Sequence, residues 1–466
     1  MAEVKLPADF FFGAAMSGPQ TEGGWKLHGK IESVWDKQSK ERIDSFYNKV
    51  GSYVGNDMVN RYQDDFRMLA DLGLSSVRTS FQWTRLLDRD GHLNTAGADF
   101  YHKMLSAAKE EGIDLFVNLY HFDMPSYIFA RGGWENRETV EAYVNYARTA
   151  FHEFGGEVKH WFTFNEPVIE PESEYYEGRR WPYIMDFQRM MTVQYHITLA
   201  HALAVREFRI AQERGDVRPD ARIGLINAFA TPYTKENPQA ADLEAVRMTD
   251  GLHNRWWLDL AADGTIPQDV IETIGEKGIT LPVRPGDEDI IPFGKVDWLG
   301  LNYYRPTRVQ APESDYDEKG RLTFSSPYEM PNARMNESRG WEIYPKGIYD
   351  FAMKIKNEHP DMEFFVSENG MGVEGEEKFK NAEGVIQDDY RIEFVKEHLE
   401  WVAKAIEDGA NCVGYHYWAV IDNWSWNNAF KNRYGFIGVD LAHNYDRHYK
   451  KSASWLRELT RTHVIE

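Results

Sequence analysis

The feature that most constrains the fold is a regular alternation of strand-like and helix-like segments along the chain. Eight segments rich in β-branched and aromatic residues recur, at residues 10–17, 75–83, 114–122, 160–167, 222–230, 296–304, 363–370 and 411–420. Amphipathic segments lie between them. In RIEFVKEHLEWVAKAIEDG, from Arg391, apolar residues recur at helical spacing and Gly409 follows as the expected C-cap. Eight strands alternating with helices indicate parallel βαβ units, and eight strands close a (β/α)8 barrel.

The same alternation would also suit an open, doubly wound sheet. However, no Gly-rich G-x-G-x-x-G turn follows an early strand, and no linker or low-complexity tract divides the 466 residues. The sequence therefore predicts an α/β protein, a single (β/α)8 barrel domain over residues 1–466 with loop insertions at the C-terminal face. Barrels of this kind carry their active sites at the C-terminal ends of the strands.

Charge and cysteine content disfavour several classes of function. The chain has 53 Lys and Arg against 74 Asp and Glu, a formal net charge of −21, which disfavours nucleic-acid and anionic-membrane partners. The single cysteine, Cys412, allows neither an intrachain disulfide nor a cysteine-based metal centre. The N-terminal MAEVKLPADFFFGAAMSG does not resemble a signal peptide, and no stretch reaches the ~18 apolar residues of a membrane helix. We expect a soluble, cytoplasmic protein, and the sequence leaves a homo-oligomer open.

Polar and aromatic side chains collect at the predicted C-terminal ends of the strands. They are Gln20, Arg78, His121, Asn165, Glu166, Asn302, Tyr303, Tyr304, Glu368, Asn369 and Trp418. Each alone has an ordinary structural explanation, such as a turn for Asn-Glu-Pro or a core position for a histidine. Because the C-terminal ends of the strands meet at one face of a barrel, their shared position favours a common site.

Two glutamates of this set suggest the chemistry. Glu166 in TFNEP and Glu368 in VSENG lie on different strands of the same face. Paired carboxylates can hydrolyse a glycosidic bond in two steps, one as the nucleophile and the other as the acid and then the base. The nucleophile must stay ionised, and Arg78 and Tyr304 are candidate donors to it. The competing interpretation is a divalent-metal site that includes His121, although no His-x-x-x-His spacing or tight acidic cluster supports it.

The segment WSWNNAFKNRYG, residues 424–435, is a second candidate feature. It places Ser425 between two tryptophans and adds Lys431, Arg433 and Tyr434 within a dozen residues. An anionic ligand of so acidic a chain has to be met by a local cationic pocket. The alternative is that Ser425 has no specific role and that Lys431 is a solvated surface charge. Aromatic residues, 14% of the chain, suit either a large packed core or the C–H faces of sugar rings.

Ten motifs, in order along the chain, resemble glycoside hydrolase family 1, the retaining β-glycosidases. They are FFFGAAMSGPQTEG, VRTSFQWTRL, LYHFDMP, GGWENRETV, TFNEP, LNYY, GWEIYPKG, SENG, YWAVIDNWSW and RYGFIGVD, and they span about residues 6–450. The resemblance implies that Glu166 is the acid/base and Glu368 the nucleophile, which Arg78 and Tyr304 would steady. It implies no metal and no organic cofactor.

The resemblance also assigns the residues that would contact the sugar. Asn165 would hold the 2-hydroxyl, and Trp341 in GWEIYP would form a wall for the leaving group. The residues that would line the sugar subsite are Gln20, His121 and Trp418. The polar segment of about residues 312–339 is expected to shape the leaving-group side.

The resemblance makes residues 424–435 informative about the substrate. Family members acting on unmodified sugars resemble DNFEW here, and their Glu binds the 4- and 6-hydroxyls, whereas this chain has DNWSW, with Ser425 in that place. A carboxylate would repel a 6-phosphate, while a serine hydroxyl can donate to it. Members that hydrolyse 6-phospho-β-glycosides resemble this pattern, with a Ser and then a Lys and a Tyr. Tyr434 matches that Tyr, but Asn432 fills the Lys position and Lys431 precedes it, so either Lys431 reaches the phosphate or Asn432 substitutes as a neutral donor.

The implied function is therefore retaining hydrolysis of a small 6-phosphorylated β-glycoside. Trp426 resembles members that accept 6-phospho-β-galactosides, and some Trp-bearing members accept both epimers, so the preference between glucoside and galactoside stays open. One alternative is a β-glucosidase or β-galactosidase acting on unphosphorylated sugars. The other is a non-catalytic sugar-binding barrel, which would have no need of both glutamates.

Overall fold

In the computed structural model, which describes residues 4–466, eight parallel strands form a closed barrel. The strands are β1 (Phe11–Ala15), β2 (Ser76–Ser80), β3 (Asp114–Tyr120), β4 (His160–Asn165), β5 (Arg222–Ala228), β6 (Trp298–Asn302), β7 (Phe364–Asn369) and β8 (Cys412–Tyr417). They follow one another around the barrel in chain order, and β8 pairs with β1 to close it. Each strand falls within a predicted segment, and the predicted (β/α)8 barrel is confirmed.

A main helix follows each strand. These helices are α1 (Met58–Asp71), α2 (Thr95–Glu110), α3 (Glu138–Phe154), α4 (Phe187–Arg214), α5 (Trp256–Asp263), α6 (Lys346–Glu358), α7 (Asp389–Glu407) and α8 (Lys451–Thr462). Additional helices lie in the connections, at Gly18–Thr21, Val34–Glu41, Trp83–Leu86, Ser126–Phe129, Ala240–Thr249 and Gln268–Glu276. Within residues 4–466, no helix combines the length and the apolar composition that crossing a membrane requires.

Short strands outside the barrel fasten the termini and the long loops. Val4–Lys5 pairs with Val464–Ile465, so the two ends of the described chain meet. The remaining pairs and ribbons are formed by Pro232–Tyr233, Thr307–Gln310 and Ser326–Pro327, by Met335–Asn336 and Trp341–Glu342, by Val373–Glu374 and Asn432–Arg433, and by Ile437–Asp440 and Asp446–Tyr449.

The end of α7 shows how local sequence sets an element boundary. Gly409 follows the helix with φ at +92°, a left-handed conformation that glycine adopts without strain. Its N–H donates to the Ile406 carbonyl at 2.9 Å, and the N–H of Ala410 donates to the Ala405 carbonyl at 2.8 Å. These two bonds satisfy carbonyls that the last turn leaves free. Gly409 therefore ends α7 as the sequence predicts.

Aromatic side chains fill the inside of the barrel, mostly towards the N-terminal ends of its strands. The cluster draws on seven of the eight strands and consists of Phe11, Phe116, Phe162, Ile226, Trp298, Phe365 and Val413. Glycines make room for these rings: a Cβ on Gly224 would lie 2.7 Å from the Phe162 ring, and one on Gly414 would lie 2.3 Å from the Phe11 ring. With this end packed, the space for a ligand lies at the opposite, C-terminal end.

Candidate active site

A cavity of about 250 Å³ opens at the C-terminal ends of the barrel strands. Most of the residues that the sequence assigned to a site line it, namely Gln20, His121, Asn165, Glu166, Tyr304, Trp341, Glu368, Trp418, Ser425, Trp426 and Tyr434. Arg78 lies behind the cavity wall and contacts Glu368. Lys431 and Asn432 are not among the lining residues.

Glu368, near the end of β7, has the partners that a buried anion requires. One carboxylate oxygen contacts the Arg78 guanidinium, and the other accepts a hydrogen bond from the Tyr304 hydroxyl at 2.5 Å. Arg78 is fully buried on β2, where its Nη1 also donates to the Met16 carbonyl at 3.2 Å. Because burial removes the water that would solvate a carboxylate, a fixed cation and a hydroxyl donor take its place.

Glu166, the residue after β4, has different surroundings. Its φ of +48° is unusual for a residue with a side chain, and its N–H donates to the Ile226 carbonyl at 2.8 Å. One carboxylate oxygen accepts a hydrogen bond from Asn302 Nδ2 at 3.0 Å. Burial and then the negative charge of Glu368 raise the pKa of Glu166 to about 7, against the opposing effect of the Asn302 bond. Glu166 can therefore hold a proton near neutral pH, as a general acid must.

An amide and imidazole network extends from the carboxylates. Asn302 Nδ2 also donates to Asn165 Oδ1 at 3.1 Å, and the Asn165 amide lies 3.3 Å from His121 Nε2. On the other side of the ring, His121 Nδ1 lies 3.3 Å from Arg78 Nη1. Burial, reinforced by the Arg78 charge, lowers the pKa of His121 well below its usual range, so the ring is neutral.

Three rings of similar orientation form one side of the cavity. The His121 ring centroid lies 6.3 Å from that of Trp418, with planes 11° apart, and 6.0 Å from that of Trp426, with planes 20° apart. Near them, Gln20 is buried and its Nε2 donates to the Trp424 carbonyl at 2.9 Å. Flat rings beside amide and imidazole groups suit a ligand with apolar faces and hydroxyl edges, which is the description of a pyranose.

The segment 424–435 divides its side chains between core and cavity. Trp424 is fully buried in a small apolar cluster with Trp35 and Phe46, whereas Ser425 and Trp426 line the cavity. Tyr434 joins them from the far end of the segment. The segment thus brings a serine hydroxyl, a tryptophan and a tyrosine to the cavity lining.

The side chains of Lys431 and Asn432 do not line the cavity. Lys431 Nζ is 3.5 Å from the Glu374 carboxylate, and the side chain, 35% exposed, borders a different surface groove. Asn432 is buried, with Nδ2 donating to the Ser338 carbonyl at 3.1 Å and Oδ1 accepting from Arg339 Nη1 at 3.4 Å. The sequence left two hypotheses for this position, that Lys431 reaches the phosphate or that Asn432 substitutes as a neutral donor, and in the structure neither side chain lines the cavity.

Sequence reasoning missed four arginines that line the cavity. They come from the loops after β4 and β6: Arg179, Arg180, Arg305 and Arg339. A local signal existed for one of them, since Arg339 lies two residues before Trp341, which the family resemblance had already placed at the wall. Together they provide the local positive charge that an anionic ligand needs in a chain of net charge −21.

The fold and the site define a class. A closed (β/α)8 barrel, with two carboxylates of unequal surroundings facing a cavity walled by indole rings, is the arrangement of a two-carboxylate glycoside hydrolase. The chain belongs to glycosyl hydrolase family 1, whose family model matches residues 2–465.

Proteins similar to this chain include enzymes named for phosphorylated sugars and an enzyme named for an unphosphorylated sugar. The 6-phospho-beta-glucosidase GmuD of Bacillus subtilis is 41% identical over 461 residues, 98% of each chain. A 6-phospho-beta-galactosidase of Leptotrichia buccalis is 32% identical over 487 residues, 99% of each chain. Among solved structures, the family 1 beta-glucosidase of Exiguobacterium antarcticum B7 matches with a TM-score of 0.88 at 29% identity, covering 98% of this chain and 99% of that one.

Proposed function

We propose that this protein is a retaining 6-phospho-β-glycosidase that hydrolyses 6-phospho-β-D-glucosides, 6-phospho-β-D-galactosides or both. The observation that carries the proposal is Ser425 in a cavity that also holds Glu166, Glu368 and a set of arginines. The names of the two curated relatives support the same substrate class.

In the first step, Glu368 attacks the anomeric carbon while Glu166 donates its proton to the glycosidic oxygen. The bond from C1 to that oxygen breaks, the alcohol leaves, and a covalent bond forms between C1 and the Glu368 carboxylate. Arg78 and Tyr304 hold the attacking carboxylate in position. Because its pKa is raised, Glu166 still carries a proton to donate at neutral pH.

In the second step, Glu166 acts as a base and Glu368 as the leaving group. Glu166, now a carboxylate, removes a proton from a water molecule, and the resulting hydroxide attacks C1 and releases Glu368. Two inversions at C1 return the β-configuration. The arginine beside Glu368 stabilises it as a leaving carboxylate as well as a nucleophile.

The sugar lies against the ring wall in this proposal. Asn165 holds the 2-hydroxyl, while Gln20, His121 and Trp418 line the rest of the subsite. Trp341 forms the wall for the leaving group, and its ring centroid lies 5.6 Å from that of Tyr304, beside the nucleophile. A neutral His121 carries one ring N–H and one free ring nitrogen, so it can donate to or accept from a sugar hydroxyl.

The serine in place of a carboxylate is the basis for assigning a phosphate. A hydroxyl at residue 425 can donate to a phosphate oxygen, whereas a carboxylate there would repel it. Trp426 is compatible with either epimer at C4, because one hydrogen bond or clash separates the two sugars. Since sugar phosphates are made and kept inside cells, we also propose a cytoplasmic location.

The test is a set of initial rates on four 4-nitrophenyl β-glycosides: the glucoside, the galactoside and the 6-phosphate of each. We expect cleavage of the phosphorylated pair to dominate, and the ratio within that pair gives the C4 preference. Equal or faster cleavage of the plain sugars would reject the phosphate assignment and make the protein an ordinary β-glycosidase. No cleavage of any of the four would favour a sugar-binding barrel.

A further inference from the structure

We propose that Arg339 supplies the positive charge that binds the 6-phosphate, and that Asn432 positions Arg339 for this role. The inference rests on the proposed function and names a residue that the motif comparison did not assign. In this chain the cation comes from the loop after β6, while the lysine within 424–435 faces away from the cavity.

Arg339 is held between Trp341 and the end of segment 424–435 that carries Asn432 and Tyr434. Its guanidinium carbon lies 4.1 Å from the Trp341 ring centroid, so the charged group covers that ring. Its Nη1 donates to Asn432 Oδ1 at 3.4 Å, and the guanidinium lies beside the Tyr434 hydroxyl. The group is therefore held on one side by an indole ring and on the other by an amide and a hydroxyl.

The Arg339 guanidinium also has an N–H donor that the protein leaves unused. Its Nε is buried without a hydrogen-bond partner in the described structure. By contrast, Arg179 is paired with Glu177 and lies on the exposed rim. A buried donor without a partner costs free energy unless a ligand satisfies it. Arg339 is thus built to receive an acceptor that the protein itself does not provide.

Arg180 is the main competitor for the phosphate, and its surroundings differ. It too has a buried nitrogen without a partner, and it stacks on the Trp426 ring at 5.6 Å. However, the carboxyl groups that act on the pKa of Arg180 are first Glu174 and then Glu166, so it lies on the side of the acid/base. Arg339 instead lies beside Asn432 and Tyr434, in the segment that carries Ser425, and is the better partner for a phosphate.

The residue at 432 explains why an arginine can take the place of a lysine. A lysine at 432 would bring a second cation against the Arg339 guanidinium, with which the present side chain makes a 3.4 Å contact. Asparagine instead accepts a hydrogen bond from Arg339 and so fixes the orientation of the guanidinium. A guanidinium presents parallel N–H donors that suit phosphate oxygens, and Ser425 and Tyr434 add hydroxyl donors.

The experiment measures the specificity ratio, kcat/KM on a 4-nitrophenyl 6-phospho-β-glycoside divided by kcat/KM on its unphosphorylated counterpart. Arg339→Gln should lower this ratio by about 10- to 100-fold, the range for loss of one charge-assisted hydrogen bond. Arg334→Gln is the matched control, because Arg334 lies on the same loop and carries the same charge, yet it pairs with Glu397 and does not line the cavity. The control should leave kcat/KM on both substrates near that of the wild type and the ratio within about twofold.

Two further variants separate a specific role from a structural one. Asn432→Lys in the Arg339→Gln background should restore at least about a tenfold higher ratio, because it returns a cation close to the position of the Arg339 guanidinium. Arg339→Lys should retain more of the ratio than Arg339→Gln, and inhibition by glucose 6-phosphate should weaken in the same order as the ratios fall. If Arg339→Gln does not fold, Arg339→Lys and Asn432→Ala give the same comparison.

The outcomes distinguish this inference from the proposed function. A wild-type enzyme without preference for phosphorylated substrates would remove the proposed function and the inference with it. A wild-type enzyme with that preference, whose ratio survives Arg339→Gln or falls as much in Arg334→Gln, would overturn the inference alone.

Discussion

The two ends of the cavity are built in different ways. The catalytic floor, formed by Arg78, Asn165, Glu166, Tyr304 and Glu368, stands on or directly after barrel strands. The proposed phosphate corner, formed by Ser425, Tyr434 and Arg339, stands on loops. On the floor, strand pairing itself sets the spacing, since Glu368 on β7 is the register partner of Asn302 on β6. In the corner, spacing depends on turns such as the one that joins the Ser425 N–H to the Ala429 carbonyl at 2.7 Å.

This difference separates chemistry from specificity. Residues on paired strands are held by a ladder of backbone hydrogen bonds and keep their geometry when loops change. Loop residues can be exchanged at small cost to the fold, which makes them the place where a substrate preference can change. The floor should therefore determine whether hydrolysis occurs at all, and the corner which sugar is hydrolysed.

The largest effect should come from the nucleophile on the floor. Glu368→Gln should lower kcat by about 10⁴- to 10⁶-fold, because an amide cannot form the covalent intermediate. Binding of glucose 6-phosphate, measured by calorimetry, should stay largely intact.

The control for that variant is Glu363→Gln. Glu363 immediately precedes β7 at the opposite end of the barrel, where it pairs with Arg222. The kcat of Glu363→Gln should stay near that of the wild type. Comparable turnover in Glu368→Gln would remove the assignment of the nucleophile.

The next largest effect should come from the acid/base. Glu166→Gln should lower kcat/KM by about 10²- to 10⁴-fold on a disaccharide 6-phosphate, whose leaving group needs a proton. On a dinitrophenyl 6-phospho-glycoside the loss in kcat/KM should be much smaller, because that leaving group departs as a stable anion. An equal loss on both substrates would contradict the role of Glu166 as the acid.

The sequence predicted the barrel and the floor for the same physical reason. Buried strands carry runs of β-branched and aromatic residues, and the residue at which each run ends is the one that faces the cavity. Glu166 and Glu368 could thus be placed from strand ends, whereas Arg78 lies in the middle of β2, behind the cavity wall. The hydrogen bonds of Asn302 to both Glu166 and Asn165 were not predicted, because they depend on side-chain direction across neighbouring strands.

The corner was only partly predictable. Ser425 and Tyr434 were found through motif spacing, but nothing in the letters FKNRYG shows which side chains face the cavity. Lys431 lies outside because the short strand Asn432–Arg433 pairs with Val373–Glu374, which places Lys431 beside Glu374. Arg339 comes from a loop almost a hundred residues earlier in the chain, and local patterns carry no information about such a contact.

The corner can be tested by restoring a carboxylate. Ser425→Glu should lower the specificity ratio by about 100-fold or more, since it removes a donor and places a negative charge against the phosphate. Asn427→Glu adds the same charge two residues later, where the side chain contacts the Ser45 carbonyl outside the cavity, and should change the ratio by less than about threefold. A ratio that survives Ser425→Glu would mean that the phosphate lies elsewhere.

The pH dependence of kcat/KM should report the acid on the floor. Glu166 must be protonated for the first step, and its pKa is raised to about 7, so the rate should fall as pH rises above that value, by about tenfold per unit. The Asn302 hydrogen bond lowers this pKa, so Asn302→Ala should move the alkaline limb to higher pH. A limb that stays in place or moves to lower pH would show that another group controls it.

The smallest effect should come from Lys431. Lys431→Gln removes a cation from the very segment that carries Ser425, yet its Nζ faces Glu374 at 3.5 Å on a partly exposed surface, where an ion pair contributes at most about 1 kcal/mol. Its specificity ratio should change by less than about twofold, far less than in Arg339→Gln. A tenfold fall would mean that Lys431 swings into the cavity when the phosphate binds. In that case the corner would not be preformed like the floor, and the substrate itself would assemble it on binding.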